Sequence, residues 1–187
     1  MSDTLIIDTG TGFSEPTMIE PLPVYDENYY MLTQRIPDHN VNMLPNPVIV
    51  KLARRLQLTM EKYNGIGLAA NQCGIQERMF VMKGGFVCIN PVIIEASAEM
   101  EKMKEGCLSY PGLYVTIPRH KWVEVEFYDE NGVLQKHRFE GVTAQCFQHE
   151  LDHINGVVFT SHAGKVSLQL ARDRQKKLIK KFKRIMK

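Results

Sequence analysis

The chain has 187 residues, 44% hydrophobic and 24% charged, the composition of a globular protein long enough to bury a core without disulfides or a structural metal. Its apolar runs fall well short of the roughly 20 residues that cross a bilayer, so no membrane span is expected. The net charge of +2 hides a gradient: residues 1–47 carry seven acids against Arg35 alone, and residues 165–187 carry ten bases against Asp173 alone.

That asymmetry predicts an acidic surface arm and a basic tail with a partner of its own. Residues 1–187 are expected to form one domain, with 1–20 as a polar N-terminal arm and 165–187 as a basic C-terminal helix. The start, Met1-Ser2-Asp3-Thr4, does not read as a secretory leader, so the expected location is cytoplasmic. Cys73, Cys88, Cys107 and Cys146 form no C-x-x-C pair and read as thiols or metal ligands, not as a disulfide framework.

The first strong element is a helix from Asn46 to about Tyr63. Asn46 can cap it, Pro47 suits its first turn, and Ile49, Leu52, Ala53, Leu56, Met60 and Tyr63 follow helical spacing until Asn64-Gly65 ends it. "GIGLAANQ" follows at 65–72. It contains the loose dinucleotide pattern G-x-G-x-x-A, but a helix precedes it where that fingerprint needs a strand, which excludes nucleotide binding. Its glycines instead let a peptide approach the backbone, and the Gln72 amide can donate a hydrogen bond; a plain turn is the simpler alternative.

Strands are expected at 79–82, 86–94, 113–117, 122–128 and 133–139, with Val123, Val125 and Phe127 alternating against Glu124 and Glu126. The Asn131-Gly132 pair supplies turn chemistry between the last two. A second helix is expected from a Thr143 cap to Asn155-Gly156, and a third in the tail, where Leu168, Ala171, Gln175, Leu178, Phe182 and Ile185 recur by threes and fours. Flanking helices around short, mostly antiparallel strands, with no βαβ alternation, predict an α+β fold about a central metal-binding helix.

The second helix contains "QHELDHING", 148–156. At ~100° per residue Cys146, His149 and His153 share one face, Phe147, Leu151 and Ile154 a second, and Gln145, Gln148, Asp152 and Asn155 a third. Histidines four apart can aim at one ion, with Glu150 beside it as a base for water. The extended H-E-x-x-H-x-x-G-x-x-H form fails, because Phe159 stands where its third histidine belongs and His162 fits no helical spacing. Cys107, in "EGCLS" at 105–109, is the best third ligand and leaves a coordination position open for catalysis. A closed structural site with Cys146 as fourth ligand remains an alternative at this point.

Taken together and in this order, "GIGLAANQ", "EGCLS" and "QHELDHING" resemble the peptide deformylase family. The resemblance implies removal of the formyl group from formyl-methionine of newly made polypeptides, with release of formate. It implies Cys107, His149 and His153 as ligands of one divalent ion, usually Fe(II), with Zn, Ni or Co as possible occupants. Glu150 would be general base and acid, and the Gln72 side chain and Leu108 backbone N–H would hold the oxyanion. Ile66 and Gly67 would border the peptide, and Val142, Cys146 and His149 would wall the methionine pocket.

Asn71 departs from the family, standing where many members have proline, which should alter loop stiffness more than chemistry. Formyl-methionyl nascent peptides are the expected partners, with ribosome contact through the basic C-terminal helix and no membrane or DNA partner. The setting is cytoplasm, or an organelle or phage-infected bacterial cytosol that starts chains with formyl-methionine. A general metallopeptidase and an RNA-binding module with a closed metal site are the competing readings.

Overall fold

A computed structural model describes residues 19–185; the expected N-terminal arm therefore lies almost wholly outside the described residues. Helix α1, Pro47–Lys62, begins where the sequence indicates: Asn46 Oδ1 accepts from the Val48 N–H at 2.9 Å and Pro47 occupies the first turn. Asn64 at φ +54° ends it, and the Gly65 N–H reaches back to the Met60 carbonyl at 2.8 Å. Its buried face, Ile49, Leu52, Ala53, Leu56 and Met60, packs on Leu68, Met79, Val81 and Val87.

Seven strands follow: β1 Gly67–Ala69, β2 Met79–Met82, β3 Phe86–Ala96, β4 Met100–Cys107, β5 Tyr110–His120, β6 Trp122–Tyr128 and β7 Leu134–Glu140. They build a five-stranded sheet in the order β1-β2-β3-β6-β7 and a separate two-stranded ribbon of β4 and β5, every pair antiparallel. The α+β expectation therefore holds. Val123, Val125 and Phe127 are buried, as their alternation requires.

Three strands go beyond the sequence reading, the first being β1, a three-residue strand inside the glycine-rich stretch. β4, "MEKMKEGC", buries only Glu105, so a ribbon with one wet face left no apolar period to read. β5 runs past Pro118 to His120, because a proline is tolerated on a ribbon whose outer edge has no partner strand among the described residues.

Helix α2, Gly141–Ile154, starts directly from β7, without the expected Thr143 cap. Gly141 at φ +55° makes the strand-to-helix corner, a conformation that favours glycine. The helix lies across the large sheet, with Phe147 edge-on to Phe80 at 5.2 Å and packed among Phe127, Phe139 and Val125. Gly156, at φ +74°, closes its C-terminal end against the backbone of residues 33–35, where a Cβ would collide. Helix α3, Lys165–Ile185, packs Ala171 and Gln175 against the β5 side of the molecule.

Candidate metal centre

Three remote stretches converge beneath α2. Cys107 ends β4, the segment after β1 carries Gln72, and α2 supplies His149, Glu150 and His153. One ligand atom from each of Cys107, His149 and His153 falls within 4.8 Å of the other two. Cys107 Sγ lies 3.2 Å from His153 Nε2. The cleft above them has a volume of about 560 Å³ and is lined by Ile66, Gly67, Gln72, Leu108, Cys146 and Glu150 among others.

The donor set suits a divalent ion for reasons beyond proximity. His149 Nδ1 is occupied by Glu105 Oε2 at 2.9 Å, which orients its ring and leaves Nε2 for the site. Burial lowers the His149 pKa, yet hydrogen bonds to Cys107 and Glu105 and the Glu150 charge reverse this and drive it well up. The surroundings of that ring thus favour positive charge, whether proton or metal. His153 is pushed the other way, by burial and then by the His149 charge, and so is held neutral as a ligand must be.

Cys146 does not join this cluster. Its thiol donates to the Ile66 carbonyl at 3.4 Å, and burial raises its pKa well above the usual range. It lines the cleft as a neutral wall, so a closed four-ligand site is not built among the described residues.

Glu150 is buried beside Cys107, His149 and His153, and its Oε2 has no hydrogen-bond partner among the described residues. Burial, tempered by the His149 charge and reinforced by that of Glu105, raises its pKa to about 7, suited to accepting and returning a proton near neutrality. Gly67 is what admits it: a Cβ there would fall on the Glu150 carboxylate and the Cys146 sulfur. Gln72 is equally constrained. Its Oε1 accepts from the Ala69 N–H at 2.9 Å, so its Nε2 is aimed at Cys107 Sγ, 3.3 Å away, and Ser109 Oγ, 3.2 Å away.

Of the residues anticipated from sequence, Ile66, Gly67, Gln72, Cys107, Leu108, Cys146, His149 and Glu150 line the cleft, with His153 below it. Val142 does not; it is 57% exposed on the first turn of α2, and Gln145, one turn further on, lines the cleft instead.

Sequence reasoning also missed a buried charge chain. Arg119 grips Glu105 with two hydrogen bonds, Nε–Oε1 at 2.8 Å and Nη2–Oε2 at 3.1 Å, and reaches Asp152 Oδ2 at 2.6 Å. His162, excluded above as a ligand, meets the same Asp152 oxygen at 2.9 Å. Burial would raise the Glu105 carboxyl, but the hydrogen bonds from His149 and Arg119, with the Arg119 charge, hold it at about 2. A signal for Arg119 was present: Leu113, Val115, Ile117 and Arg119 are the alternate, inward positions of β5. Asn71 was underestimated too, since its Nδ2 donates to the His153 carbonyl at 2.6 Å and the Met31 carbonyl at 3.2 Å.

Comparison with known proteins gives a consistent family. The family profile for polypeptide deformylase matches residues 22–169. A peptide deformylase of Prochlorococcus marinus is 40% identical over 153 residues, covering 78% of this chain and 74% of its own length. Among solved structures, the Synechococcus elongatus peptide deformylase in complex with actinonin has a TM-score of 0.78 at 32% identity, covering 94% of both chains. The Acinetobacter baumannii enzyme bound to Met-Ala-Ser has a TM-score of 0.74 at 30% identity, covering 78% of this chain and 99% of its own.

Proposed function

We infer the workings of this cleft from one premise: the chain belongs to the peptide deformylase family, and it is a metal-dependent hydrolase that removes the N-terminal formyl group of formyl-methionine from newly made polypeptides. The proposal concerns which residues do this and how. Cys107, His149 and His153 hold the divalent ion. When bound, that ion supplies Lewis acidity toward a carbonyl oxygen and makes water a nucleophile near neutral pH.

The chain's own residues supply the rest. The peptide lies extended along Ile66 and Gly67, on the edge of β1 that has no neighbouring strand among the described residues, with its methionine side chain against Cys146. Glu150 takes a proton from the attacking water on its unpartnered Oε2. Gln72 Nε2, held from behind by the Ala69 N–H, and the Leu108 backbone N–H donate to the oxyanion as the formyl carbon becomes tetrahedral. Glu150 then returns its proton to the departing amine, leaving formate and a free methionine N-terminus.

The convergence of Cys107 with His149 and His153, with Glu150 beside them, is the observation that carries this reading. Formate release from formyl-Met-Ala-Ser by anaerobically prepared protein, with metal analysis of the same sample, tests it. Glu150→Gln should lower turnover by at least about 10²-fold while the ion stays bound. An active variant would remove Glu150 from its role. Turnover of unformylated Met-Ala-Ser-containing peptides at comparable rates would favour a general metallopeptidase.

We propose Fe(II) as the resident ion, with Zn, Ni or Co able to replace it, because one thiolate and two imidazoles accommodate all four. With Fe(II) beside a thiolate, activity should decay in air and be protected by anaerobic handling. The enzyme would work in the cytoplasm, or in another compartment that initiates chains with formyl-methionine. The tail is proposed to bring it to the ribosome: Lys176, Lys180, Lys183 and Arg184 gather around Ile179 on the free side of α3. Binding to ribosomes that is insensitive to salt would count against this contact.

A further inference from the structure

We propose that Lys104 selects nascent chains carrying an acidic side chain two or three residues after the formyl-methionine. The inference deepens the deformylase reading and rests on it. Lys104 is the one lysine or arginine among the described residues that line the cleft. Like most lysines among the described residues it has no carboxylate partner, so its charge is available to an incoming one; Lys121 and Lys136 are the lysines paired with a glutamate. The two carboxylates lining the cleft do not offset it: Glu105 is buried and gripped by Arg119 and His149, and Glu150 sits buried at the reaction centre.

The ammonium is placed, not merely exposed. Gly106 faces Tyr114 across the β4–β5 ribbon, and the missing Cβ of Gly106 lets the tyrosine ring lie over it. Lys104 Nζ rests 4.9 Å from the centre of that ring. A cation held over a ring face keeps its N–H groups free for an incoming carboxylate, while the contact restrains the long side chain. Lys104 also precedes Cys107 by three strand residues, about 10 Å at ~3.3 Å per residue. An extended peptide with its formyl group at Cys107 spans that distance in two to three residues, so its side chains there meet the ammonium.

The test uses the metal-loaded enzyme and C-terminally amidated peptides: formyl-Met-Ala-Glu-Ser, its Gln and Lys counterparts, and a second set with the varied residue one position later. The expected order of kcat/KM is Glu over Gln over Lys in at least one set. The span should be about two- to five-fold per step, carried mainly by KM, and should shrink as salt rises. Lys104→Glu should reverse the order, and Lys104→Gln should flatten it. Lys180→Glu, a charge reversal on the tail, should leave the order intact and so exclude a general field effect.

An order unchanged by Lys104→Glu, or a loss equal on all peptides, would overturn the proposal, as would an equal reversal by Lys180→Glu. If the wild-type enzyme releases no formate from formyl-Met-Ala-Ser, it is the deformylase reading that has failed, which is a separate result.

Discussion

Helices α2 and α3 are both amphipathic, yet they hold their polar residues in opposite ways. On α2, Gln145, Gln148, His149, Glu150 and His153 are all buried; Gln148 and His149 are held by side-chain hydrogen bonds, while Glu150 Oε2 and His153 Nδ1, beside the metal site, have no partner among the described residues. On α3, Gln175 is the one buried polar residue, and Val166, Leu170, Phe182 and Ile185 are more than half exposed. Burying a polar group is costly unless it is partnered, so outside the reaction centre α2 is fixed by several simultaneous requirements, whereas α3 is fixed by one stripe. Substitutions should therefore be costly at the partners of α2 and cheap along most of α3.

The largest effect is expected at Arg119. Arg119→Met leaves Glu105 and Asp152 without their shared cation, and breaking a buried pair in this way costs about 3–5 kcal/mol. Chemical denaturation of metal-free protein measures it. The same variant should bind metal roughly 10–100-fold more weakly, because Glu105 no longer holds the His149 ring as firmly. A loss below about 1 kcal/mol would mean that α2 is not fixed by its polar partners.

Acid provides a second way to separate the two helices. Glu105 is held at about 2, below its ordinary 4.5, so it favours the folded state above pH 4.5 and loses that contribution as pH falls toward 2. Metal-free Glu105→Gln protein should therefore show a shallower fall in stability between pH 5 and about 2 than the parent chain. An unchanged slope would show that the charge chain does not couple to folding.

Asn71 gives a smaller test of the same idea. Asn71→Ala leaves the His153 and Met31 carbonyls without its amide, at a cost of about 1–3 kcal/mol. Asn71→Pro tests the stiffness view taken from sequence. If stiffness alone mattered, proline would be neutral or stabilising while alanine cost little.

The contrast also explains what the sequence disclosed. The Cys107, His149 and His153 cluster and the neighbouring Glu150 were legible because these residues belong to short motifs whose chemistry fixes residue type and spacing. Helix α1 was legible from its Asn46 cap and Asn64-Gly65 stop, signals carried within one element. Strand β4 was not, because its only buried side chain is the charged Glu105, and a buried charge gives no apolar period. Arg119 and Asn71 escaped for a related reason: the β5 alternation marks Arg119 as inward, but nothing local names the remote partners, Asp152 for Arg119 and His153 for Asn71, through which the two side chains matter. Val142 rested on the family resemblance alone; directly after the corner at Gly141 it is 57% exposed.

The smallest effect should lie at the far end of α3. The helix is anchored early: Gln175 Nε2 donates to the Pro111 carbonyl at 3.0 Å, Arg172 pairs with Glu27, and Leu178 touches the Gly112 position. Beyond that point Phe182 and Ile185 are 59% and 67% exposed, so replacing either removes little area that folding had taken from water. Phe182→Ser should change stability by no more than about 0.5 kcal/mol, read from denaturant midpoints at two protein concentrations. A larger, concentration-dependent loss would mean that a second copy of the chain covers this face, and the tail would then belong with α2 as a buried element. A change within the expected range leaves the exposed stripe and its flanking bases free for a partner, which is what contact with a ribosome requires.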